Sequence, residues 1–346
     1  MAGIEQLDAA LTAAIAAAGR GHRGANPLVG ACILDESGRI IATGYHRGAG
    51  HRHAEIDALA QLEGLDREAR SSLSMVVSLE PCNHTGRTGP CSEAIIASGI
   101  RRVHYAASDK TAASGGAAAL QAAGIKTTQA HQMSDALELN HRWFQAKAEN
   151  RPFITVKIAQ SLDGRISAPD GTSQWITSQA SRTHGHQLRA RADAILVGTG
   201  TVLADNPQLT ARHSDGSLLA KQPFRLVMGR RELPSGLALS GDGRWEQIAT
   251  RQTGPVLQRC AELGISHLLV EGGATVASAF LAAGLADEIY CYQAPLILGA
   301  GRSSISLHGT TTLADAMAYR LDAYSHEQLE RLGSDAMLHL EPLPNS

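Results

Sequence analysis

The sequence predicts an α/β protein made of two domains in tandem, and three observations support this prediction. The chain has 346 residues, which exceeds one ordinary domain and suits two domains that each bury a core. Segments with helical and strand periodicity alternate along both halves. A polar stretch that ends in proline, "KAENRP", separates the two series. We therefore place one domain at residues 1–147 and the second at residues 152–346.

The first half alternates helices with short apolar strands. Its predicted helices have apolar residues three and four positions apart, whereas its predicted strands are brief apolar runs bounded by turn residues. The helices are predicted in "LDAALTAAIAAAG", "AEIDALAQL", "CSEAIIASG" and "GAAALQAAG", and the strands in "GACILDE", "IIATGYH", "SMVVSL" and "RRVHYAA".

The second half begins a new alternating series with the strand "FITVKIA". Further strands are predicted in "ADAILVG", "FRLVMG", "SHLLVEGG" and "EIYCYQAPLIL", with a helix in "TVASAFLAAG". The two series show no internal sequence repeat. Both halves are therefore expected to be α/β layers.

Composition and charge exclude several functions. The formal net charge is −2 and the arginines are spread along the chain, so no nucleic acid partner is expected. No stretch approaches the roughly 18 uninterrupted apolar residues of a membrane span. Residues 1–19 include Glu5 and Asp8 and lack a basic leader, which indicates an amphipathic helix instead of a signal peptide. Five cysteines, an odd number, favour a reducing cytoplasm.

The candidate metal ligands are His53, Cys82 and Cys91. Zinc accepts imidazole and thiolate, and catalytic zinc sites use three protein ligands. Glu55 lies two residues after His53 at the start of a predicted helix, where its carboxylate can move a proton between activated water and a departing amine. Cys91 begins a predicted helix, whose positive end favours a thiolate.

The spacing of these residues partly matches the zinc-deaminase signature, H-x-E followed by P-C-x-x-C. His53-Ala54-Glu55 and Pro81-Cys82 fit, but eight residues separate the two cysteines. The inserted loop suits recognition of a polar or phosphorylated substrate. Its polar members are Asn83, His84, Arg87 and Thr88.

Two alternatives stay open for this cluster. A structural zinc site is possible if His84 or His51 supplies a fourth ligand, and Glu55 then has no evident role. Free cysteines are more often core residues than ligands. We apply that interpretation to the three other cysteines, Cys32, Cys260 and Cys291.

The second half lacks the G-x-G-x-x-G pattern of dinucleotide-binding domains. "GTGTVLA" has Leu203 where the third glycine belongs, so it is a weak candidate. "LLVEGGATVASAFL" is better, because Gly272 and Gly273 lead from a strand into a helix whose N–H groups suit a phosphate. A plain strand-to-helix turn is the alternative.

Several motifs resemble the bifunctional deaminase–reductases of riboflavin biosynthesis. In the first half they are "NPLVGA", "GYHRGAGHRHAE" and "SLEPCNHTGRTGPC", and in the second half "VKIAQSLDGRIS", "SQWITS", "GTGTVLADNPQLTAR" and "VEGGAT". The resemblance covers nearly the whole chain. It implies an N-terminal cytidine-deaminase-like α/β/α domain followed by a C-terminal dihydrofolate-reductase-like α/β domain.

The same resemblance implies the activity and the site residues. The first domain removes an amino group from a diaminopyrimidine carrying ribose 5-phosphate, with one zinc on His53, Cys82 and Cys91, and Glu55 as proton carrier. Asn26 and His46 line its base pocket. The second domain reduces the ribosyl group with NADPH. The NADPH contacts are Ala159, Trp175, Thr201, Asp205, Gly273, Ala274 and Thr275; the substrate contacts are Ser173, Arg189, Leu209, Arg212 and Glu271.

The chemistry of these residues suits the implied roles, with alternatives. Arg189 and Arg212 present planar donors for a phosphate. Lys157 or Asp205 can assist proton movement as hydride arrives. Trp175 is alternatively a core residue, Asp205 a turn initiator before Asn-Pro and Lys157 a solvated edge residue.

Two segments depart from the family pattern. In "SDKTAASGG" only Asp109 and the glycines correspond. After "FRLV" the family has Asp-Ser, whereas this chain has Gly229-Arg230; Arg230 or Arg231 would favour the 2′-phosphate of NADPH.

Two other functions remain as alternatives. One is a nucleoside or tRNA-type zinc deaminase with a non-catalytic C-terminal domain that binds or oligomerises; the absence of a basic stripe disfavours the tRNA version. The other is a zinc-stabilised binding module without activity. The resemblance suggests a homodimer formed through the C-terminal domain.

Overall fold

The structure, a computed structural model, describes residues 3–85, 89–130 and 134–343. The chain divides into two units, one of Met1–Lys147 with Tyr324–His326 and the other of Ala148–Ala323 with Glu327–Ser346. Within the described part of the chain, none of the helices is long and apolar enough to cross a bilayer.

The first unit is a five-stranded sheet with the order β2-β1-β3-β4-β5. β1 is antiparallel to β2 and β3, whereas β3, β4 and β5 are parallel. The strands are β1 (Gly30–Leu34), β2 (Ile40–Tyr45), β3 (Ser74–Leu79), β4 (Arg102–Ala107) and β5 (Lys126–Gln129). The helices are α1 (Ile4–Ala18), α2 (Ala54–Leu59), α3 (Arg67–Ser71), α4 (Cys91–Ser98), α5 (Gly116–Ala122), α6 (Ser134–Leu139) and α7 (His141–Ala148).

Helices cover both faces of this sheet, so its central strands β1 and β3 are buried at every position. Alternate residues of β1 enter opposite cores: Ala31 and Ile33 pack with α2, α4 and α5, and Cys32 and Leu34 pack with α1. Gly44 in β2 permits close packing of α2, since a Cβ there would lie 2.3 Å from the carbonyl oxygen of Ala54. This packing sets the start of α2 against the sheet.

The second unit contains a nine-stranded sheet with the order β10-β9-β8-β11-β6-β12-β16-β14, in which β15 also pairs with β16. The six strands from β10 to β12 in this order are parallel, and the remaining pairings are antiparallel. A two-stranded ribbon of β7 and β13 accompanies it. The strands are β6 (Phe153–Ser161), β7 (Arg165–Ser167), β8 (Ala194–Gly198), β9 (Phe224–Met228), β10 (Trp245–Ile248), β11 (His267–Val270), β12 (Glu288–Ala294), β13 (Arg302–Ser303), β14 (Tyr319–Leu321), β15 (Leu329–Leu332) and β16 (Asp335–Pro342).

The α-helices in the described part of this unit are α8 (Gln179–Arg191), α9 (Thr199–Asp205), α10 (Thr253–Glu262) and α11 (Ala274–Ala282). α10 and α11 pack on one face of the sheet, against side chains such as Ile154 and Val156 of β6. α8 packs on the other face, where Leu188 contacts Tyr290 and Tyr292 of β12. Lys157, the residue between Val156 and Ile158, therefore projects to the α8 side.

The structure corrects one sequence-based prediction and adds α8, a helix that the sequence did not predict. The strand predicted in "EIYCYQAPLIL" ends at Ala294, because the following Pro295 has no N–H for a sheet hydrogen bond. The apolar periodicity did not reveal α8, whose sequence is rich in arginine, histidine and serine. Residues of α8 nevertheless line the cavity described below.

Candidate active sites

Three soft donor atoms meet in the first unit. His53 Nδ1 lies 3.1 Å from Cys91 Sγ and 3.6 Å from Cys82 Sγ. Tetrahedral zinc, with Zn–N near 2.0 Å and Zn–S near 2.3 Å, separates such atoms by about 3.5 Å. The donor set fits zinc in chemistry and spacing, and it has the number of protein ligands found in catalytic sites.

Secondary structure brings the three donors together. His53 is the N-cap residue of α2, Cys82 lies in the loop after β3, and Cys91 is the first residue of α4. The backbone N–H of Cys91 donates to Cys82 Sγ at 3.4 Å. A helix N-terminus thus supports negative charge on the thiolate, as expected for a metal ligand.

The pKa values of the two cysteines are shifted in opposite directions, and the pKa of His53 is also shifted. The Cys91 thiol donates a hydrogen bond to the Cys82 sulfur, which lowers the pKa of Cys82 to about 4. The same bond and burial raise the pKa of Cys91. The hydrogen bond with Cys82 raises the pKa of His53. Metal ligands bind in their deprotonated forms, so zinc binding releases the remaining protons.

Glu55 lies beside these donors without belonging to the set. It is only 3% exposed, in the first turn of α2. Burial raises its pKa above the ordinary value of a glutamate. A carboxyl group with a raised pKa is suited to take up and return a proton.

Asn26 and His46 form a hydrogen-bonded pair next to the donors. The Asn26 amide nitrogen lies 2.9 Å from His46 Nε2, and His46 Nδ1 lies 2.9 Å from the carbonyl oxygen of Arg52. The ring centroids of His46 and His53 are 5.1 Å apart. Burial lowers the pKa of His46, so this ring is held neutral, donating through Nδ1 and accepting through Nε2.

Among the residues that the structure describes, no fourth protein ligand joins His53, Cys82 and Cys91. His51 and His84 are exposed, and neither belongs to the donor group formed by the described residues. Of the other cysteines, Cys32 and Cys260 are fully buried, as predicted. Cys291 is only partly buried, because it faces the rim of its core cluster.

The loop between the two cysteines is described only in part. Asn83 and His84 are exposed, and the Ser92 hydroxyl donates to Asn83 Oδ1 at 2.8 Å. Arg87 and Thr88, which were predicted at the mouth of the pocket, lie outside the described residues.

The second unit contains a cavity of about 640 Å³ bordered by the ends of its parallel strands. Arg230 and Arg231 do not line it. The NADPH contacts, substrate contacts and proton donors predicted for this half all line it, except Thr275. These are Lys157, Ala159, Ser173, Trp175, Arg189, Thr201, Asp205, Leu209, Arg212, Glu271, Gly273 and Ala274. Thr275 is exposed beyond the cavity.

A cluster of charged residues forms one wall of the cavity. Arg189 donates to both carboxylate oxygens of Glu271, at 2.7 and 2.9 Å, and Lys157 Nζ lies 3.6 Å from Glu271 Oε2. Burial alone would raise the pKa of Glu271, but Arg189 and Lys157 outweigh it and hold this pKa at about 2. Glu271 is therefore an anion that orients both cations.

This arrangement answers two questions left by the sequence. Lys157 lies in β6, which is paired on both sides, so it is not an edge residue. Arg189 uses its planar donor face for Glu271 and donates another hydrogen bond to the Thr210 carbonyl at 3.1 Å. Arg212 is held by Thr210 Oγ1 at 3.0 Å and by the Gly216 carbonyl at 2.7 Å.

The rim of the cavity carries Trp175 and Asp205. Trp175 is 68% exposed, so it is not a core residue, and the Arg182 guanidinium lies 4.5 Å from its ring centroid. Asp205 ends α9 and accepts a hydrogen bond from Ser173 at 3.4 Å.

The turn between β11 and α11 leaves backbone accessible from the cavity. A Cβ on Gly273 would lie 3.7 Å from Thr201 Oγ1 and 3.9 Å from Ile166, where a ligand can instead approach the main chain. Gly273 is the N-cap residue of α11, with no side-chain capping bond. The first N–H groups of this nine-residue helix therefore suit a phosphate.

Sequence reasoning missed several cavity residues on α8 and the loop that follows α9. Among them are Arg182, His186 and Gln208. Burial and the nearby Arg189 cation lower the pKa of His186. The polar composition of α8 hid its helical character, so no sequence signal identified these residues.

A second group of possible metal donors is buried away from the cavity. His339 Nε2 lies 2.9 Å from Glu288 Oε2 and 3.7 Å from Asp322 Oδ2, and the Thr155 hydroxyl donates to Glu288 at 2.7 Å. These hydrogen bonds join β6, β12 and β16. We interpret the group as a buried polar network that holds these strands together.

The fold and the sites together define a class of protein, a two-domain enzyme with a zinc-dependent deaminase unit and a nucleotide-dependent reductase unit. Comparison with known proteins agrees. Residues 4–107 match the cytidine and deoxycytidylate deaminase zinc-binding region, and residues 152–332 match the RibD C-terminal domain.

The chain belongs to the RibD family of riboflavin biosynthesis proteins. It is 41% identical to RibD of Mycobacterium tuberculosis over 91% of this chain and 90% of that protein. It is 35% identical to RibD of Escherichia coli over 91% and 93%. The solved structure of Acinetobacter baumannii RibD covers 99% of this chain and 100% of its own, with a TM-score of 0.75 and 31% identity.

These findings confirm the predicted fold classes and the bifunctional activity. The chain is a hydrolase and an oxidoreductase that acts in riboflavin biosynthesis, with zinc and NADPH as its cofactors. Because the second half matches a RibD reductase domain, the alternatives of a non-catalytic C-terminal domain and of a binding module are not supported.

Proposed function

We propose that residues 1–147 deaminate 2,5-diamino-6-(5-phosphoribosylamino)pyrimidin-4-one and that residues 152–346 reduce the ribosyl group of the product to a ribityl chain. A Thermotoga maritima structure titled as this deaminase and uracil reductase covers 98% of the chain and 99% of its own, at a TM-score of 0.72 and 30% identity. The strongest support is the grouping of His53, Cys82 and Cys91 beside the buried Glu55.

In the deaminase site, His53, Cys82 and Cys91 would hold zinc, which when bound would lower the pKa of a water molecule toward neutrality and so supply a nucleophile. Glu55 takes the proton released by that water and delivers it to the amino group that leaves as ammonia. Asn26 and neutral His46 present fixed polar atoms to the pyrimidine. Water thus replaces the amine with a carbonyl oxygen, and no oxidant or reductant is consumed.

In the reductase site, NADPH supplies the hydride that reaches C1 of the sugar. Opening of the ribosylamine and hydride addition require one proton overall, and Lys157, which lines the cavity, is the proposed donor. Glu271 orients Lys157, since Lys157 Nζ lies 3.6 Å from Glu271 Oε2. Arg212 and Arg182 are the cavity cations proposed to meet the substrate phosphate, because Glu271 already occupies Arg189.

The free cysteines support a cellular location, and exposed apolar side chains support an assembly. All five cysteines are free thiols, which suits the reducing cytoplasm that we propose. The second unit exposes apolar side chains, including Leu162, Ile297 and Leu313. These residues support a homodimer formed through this domain.

Arg231 is proposed to recognise the 2′-phosphate of NADPH. Its Nε lies 3.4 Å from Thr199 Oγ1, and its Nη2 lies 2.8 Å from the position of a Cβ on Gly200. The guanidinium thus covers the first turn of α9. The loops after β8 and β9, neighbouring parallel strands, meet here at the edge where nucleotides bind in such sheets.

Replacing Arg231 with alanine should raise the KM for NADPH about tenfold, because one phosphate contact is lost. The KM for NADH, which has no 2′-phosphate, should not change. Steady-state kinetics with both nucleotides test this expectation. Arg244→Ala is the matched control. Arg244 is exposed and precedes β10, so it lies at the amino ends of the parallel strands, whereas Arg231 lies beyond their carboxyl ends. An equal effect on both nucleotides would refute the assignment.

The proposed function as a whole is tested by following both products. Purified zinc-loaded protein should release one ammonia per diaminopyrimidine nucleotide and then oxidise one NADPH. Supplied with the deaminated nucleotide alone, it should oxidise NADPH without releasing ammonia. Ammonia release from cytidine or adenosine but not from the diaminopyrimidine nucleotide would overturn the substrate assignment.

A further inference from the structure

Glu80 connects the zinc-binding loop to a second segment of the first unit. It lies between the last residue of β3 and the Pro81-Cys82 pair. Its Oε2 accepts a hydrogen bond from the N–H of Asp109 at 3.2 Å. Its Oε1 accepts from the N–H groups of Gly115 and Ala117, at 3.2 and 3.1 Å. One carboxylate thus holds both ends of the segment 109–117.

Neighbouring contacts bring segment 109–117 close to the zinc-binding loop. The N–H of Asn83 donates to the Ala113 carbonyl at 2.9 Å. A Cβ on Gly116 would lie 1.8 Å from the Pro81 carbonyl oxygen, so only glycine permits the approach. The segment therefore packs directly on the residues that flank Cys82.

Hydrogen bonds within the segment are local: the Ala113 N–H donates to Thr111 Oγ1 and the Ser114 N–H donates to the Thr111 carbonyl oxygen, both at 3.2 Å. Asp109 accepts from Thr111 N–H at 2.8 Å, and α5 has no side-chain capping bond from its N-cap residue, Gly115. Glu80 supplies this cap from outside the segment. Hydrogen bonds to an ionised carboxylate are stronger than those to a neutral group.

We propose that Glu80 is a positioning residue for the deaminase site: its carboxylate holds the segment 109–117 against the zinc-binding loop, where the segment forms a wall for the pyrimidine nucleotide. This inference rests on the proposed deaminase function. The Glu80 carboxylate is hydrogen-bonded to backbone amides and not to a zinc donor, so it acts on substrate binding and not on zinc retention.

Glu80→Gln is the central test, because it keeps the shape and removes the charge. The amides of Asp109, Gly115 and Ala117 should exchange hydrogen for deuterium at least about tenfold faster. The KM for the diaminopyrimidine nucleotide should rise about tenfold with a smaller change in kcat, as expected for lost binding. Zinc content and NADPH oxidation with the deaminated nucleotide should equal those of the unmodified protein.

Glu93→Gln is the matched control, because Glu93 is an exposed carboxylate in the first turn of α4. If the amides of Asp109, Gly115 and Ala117 exchanged no faster in Glu80→Gln than in this control, the tether, meaning the hold of Glu80 on segment 109–117, would be refuted. Faster exchange with an unchanged KM, or loss of zinc, would overturn the positioning role. Because exchange needs no substrate, failure of the unmodified protein to release ammonia would count against the proposed function and not against the tether.

A second variant keeps the test decisive if Glu80→Gln does not fold. Gly115 has a φ of 96°, a conformation that strains any residue with a Cβ. Gly115→Ala should displace the segment without touching Glu80. It should raise the same KM with zinc retained, and an unchanged KM would refute the proposed wall.

Discussion

Replacing Glu55 with glutamine should lower the turnover of deamination by about 10²–10⁴-fold, the usual contribution of a general acid–base group. The amide has nearly the same shape but cannot carry a proton between water and the leaving amine. His53, Cys82 and Cys91 remain, so zinc should be retained at one ion per chain. Ammonia release and zinc content, measured on the same preparation, test this result.

The control for this variant is Glu63→Gln, which makes the same change at an exposed residue beyond α2. It should leave deamination unchanged. NADPH oxidation with the deaminated nucleotide should be equal in both variants. Deamination by Glu55→Gln at more than about one-tenth of the normal rate would show that Glu55 is not the proton carrier.

Replacing Lys157 with methionine should lower the rate of NADPH oxidation by about 10²–10⁴-fold, because the cavity loses its proposed proton donor. Methionine keeps much of the length of the side chain, so the packing in β6 is largely preserved. Deamination should be unaffected, since Lys157 belongs to the second unit. Single-turnover oxidation of NADPH with saturating deaminated nucleotide is the measurement.

Lys221→Met provides the control, because Lys221 is exposed and contacts Asp193 at 3.3 Å away from the cavity. It should retain full activity in both assays. Glu271→Gln should resemble Lys157→Met, since it removes the anion that orients Lys157. A normal rate in Lys157→Met would transfer the role of proton donor to Asp205, the other candidate.

Together the two variants separate the activities on one chain. Each is expected to remove one reaction and to leave the other at its normal rate. If Glu55→Gln also slowed NADPH oxidation with the deaminated nucleotide, the two sites would depend on each other. Independence is the expected result, because each site is built from residues of a single unit.

The structure gives the contacts made by the two segments that depart from the family pattern. The altered segment "SDKTAASGG" keeps Asp109, Gly115 and Gly116, the positions where Glu80 bonds or Pro81 packs. Gly229-Arg230 replaces Asp-Ser next to Arg231, which contacts α9 through Thr199.

The sequence by itself determined the elements whose chemistry is local. Short runs without charged residues such as β1 and β3 predict strands covered on both faces, and both strands are buried at every position. His53, Glu55, Cys82 and Cys91 were identifiable because zinc chemistry restricts residue type and number, and their neighbours in the sequence form a recognisable motif.

Only the tertiary structure decided which side chains meet. The pairing of Arg189 with Glu271 joins residues 82 positions apart, and the spacing of residues cannot reveal such a contact. The exposure of Trp175, the cavity lining of α8 and the tether from Glu80 depend on packing between separate elements. The physical reason is that hydrophobic periodicity reports which face of an element is buried, whereas contacts between polar groups depend on how the elements are arranged in space.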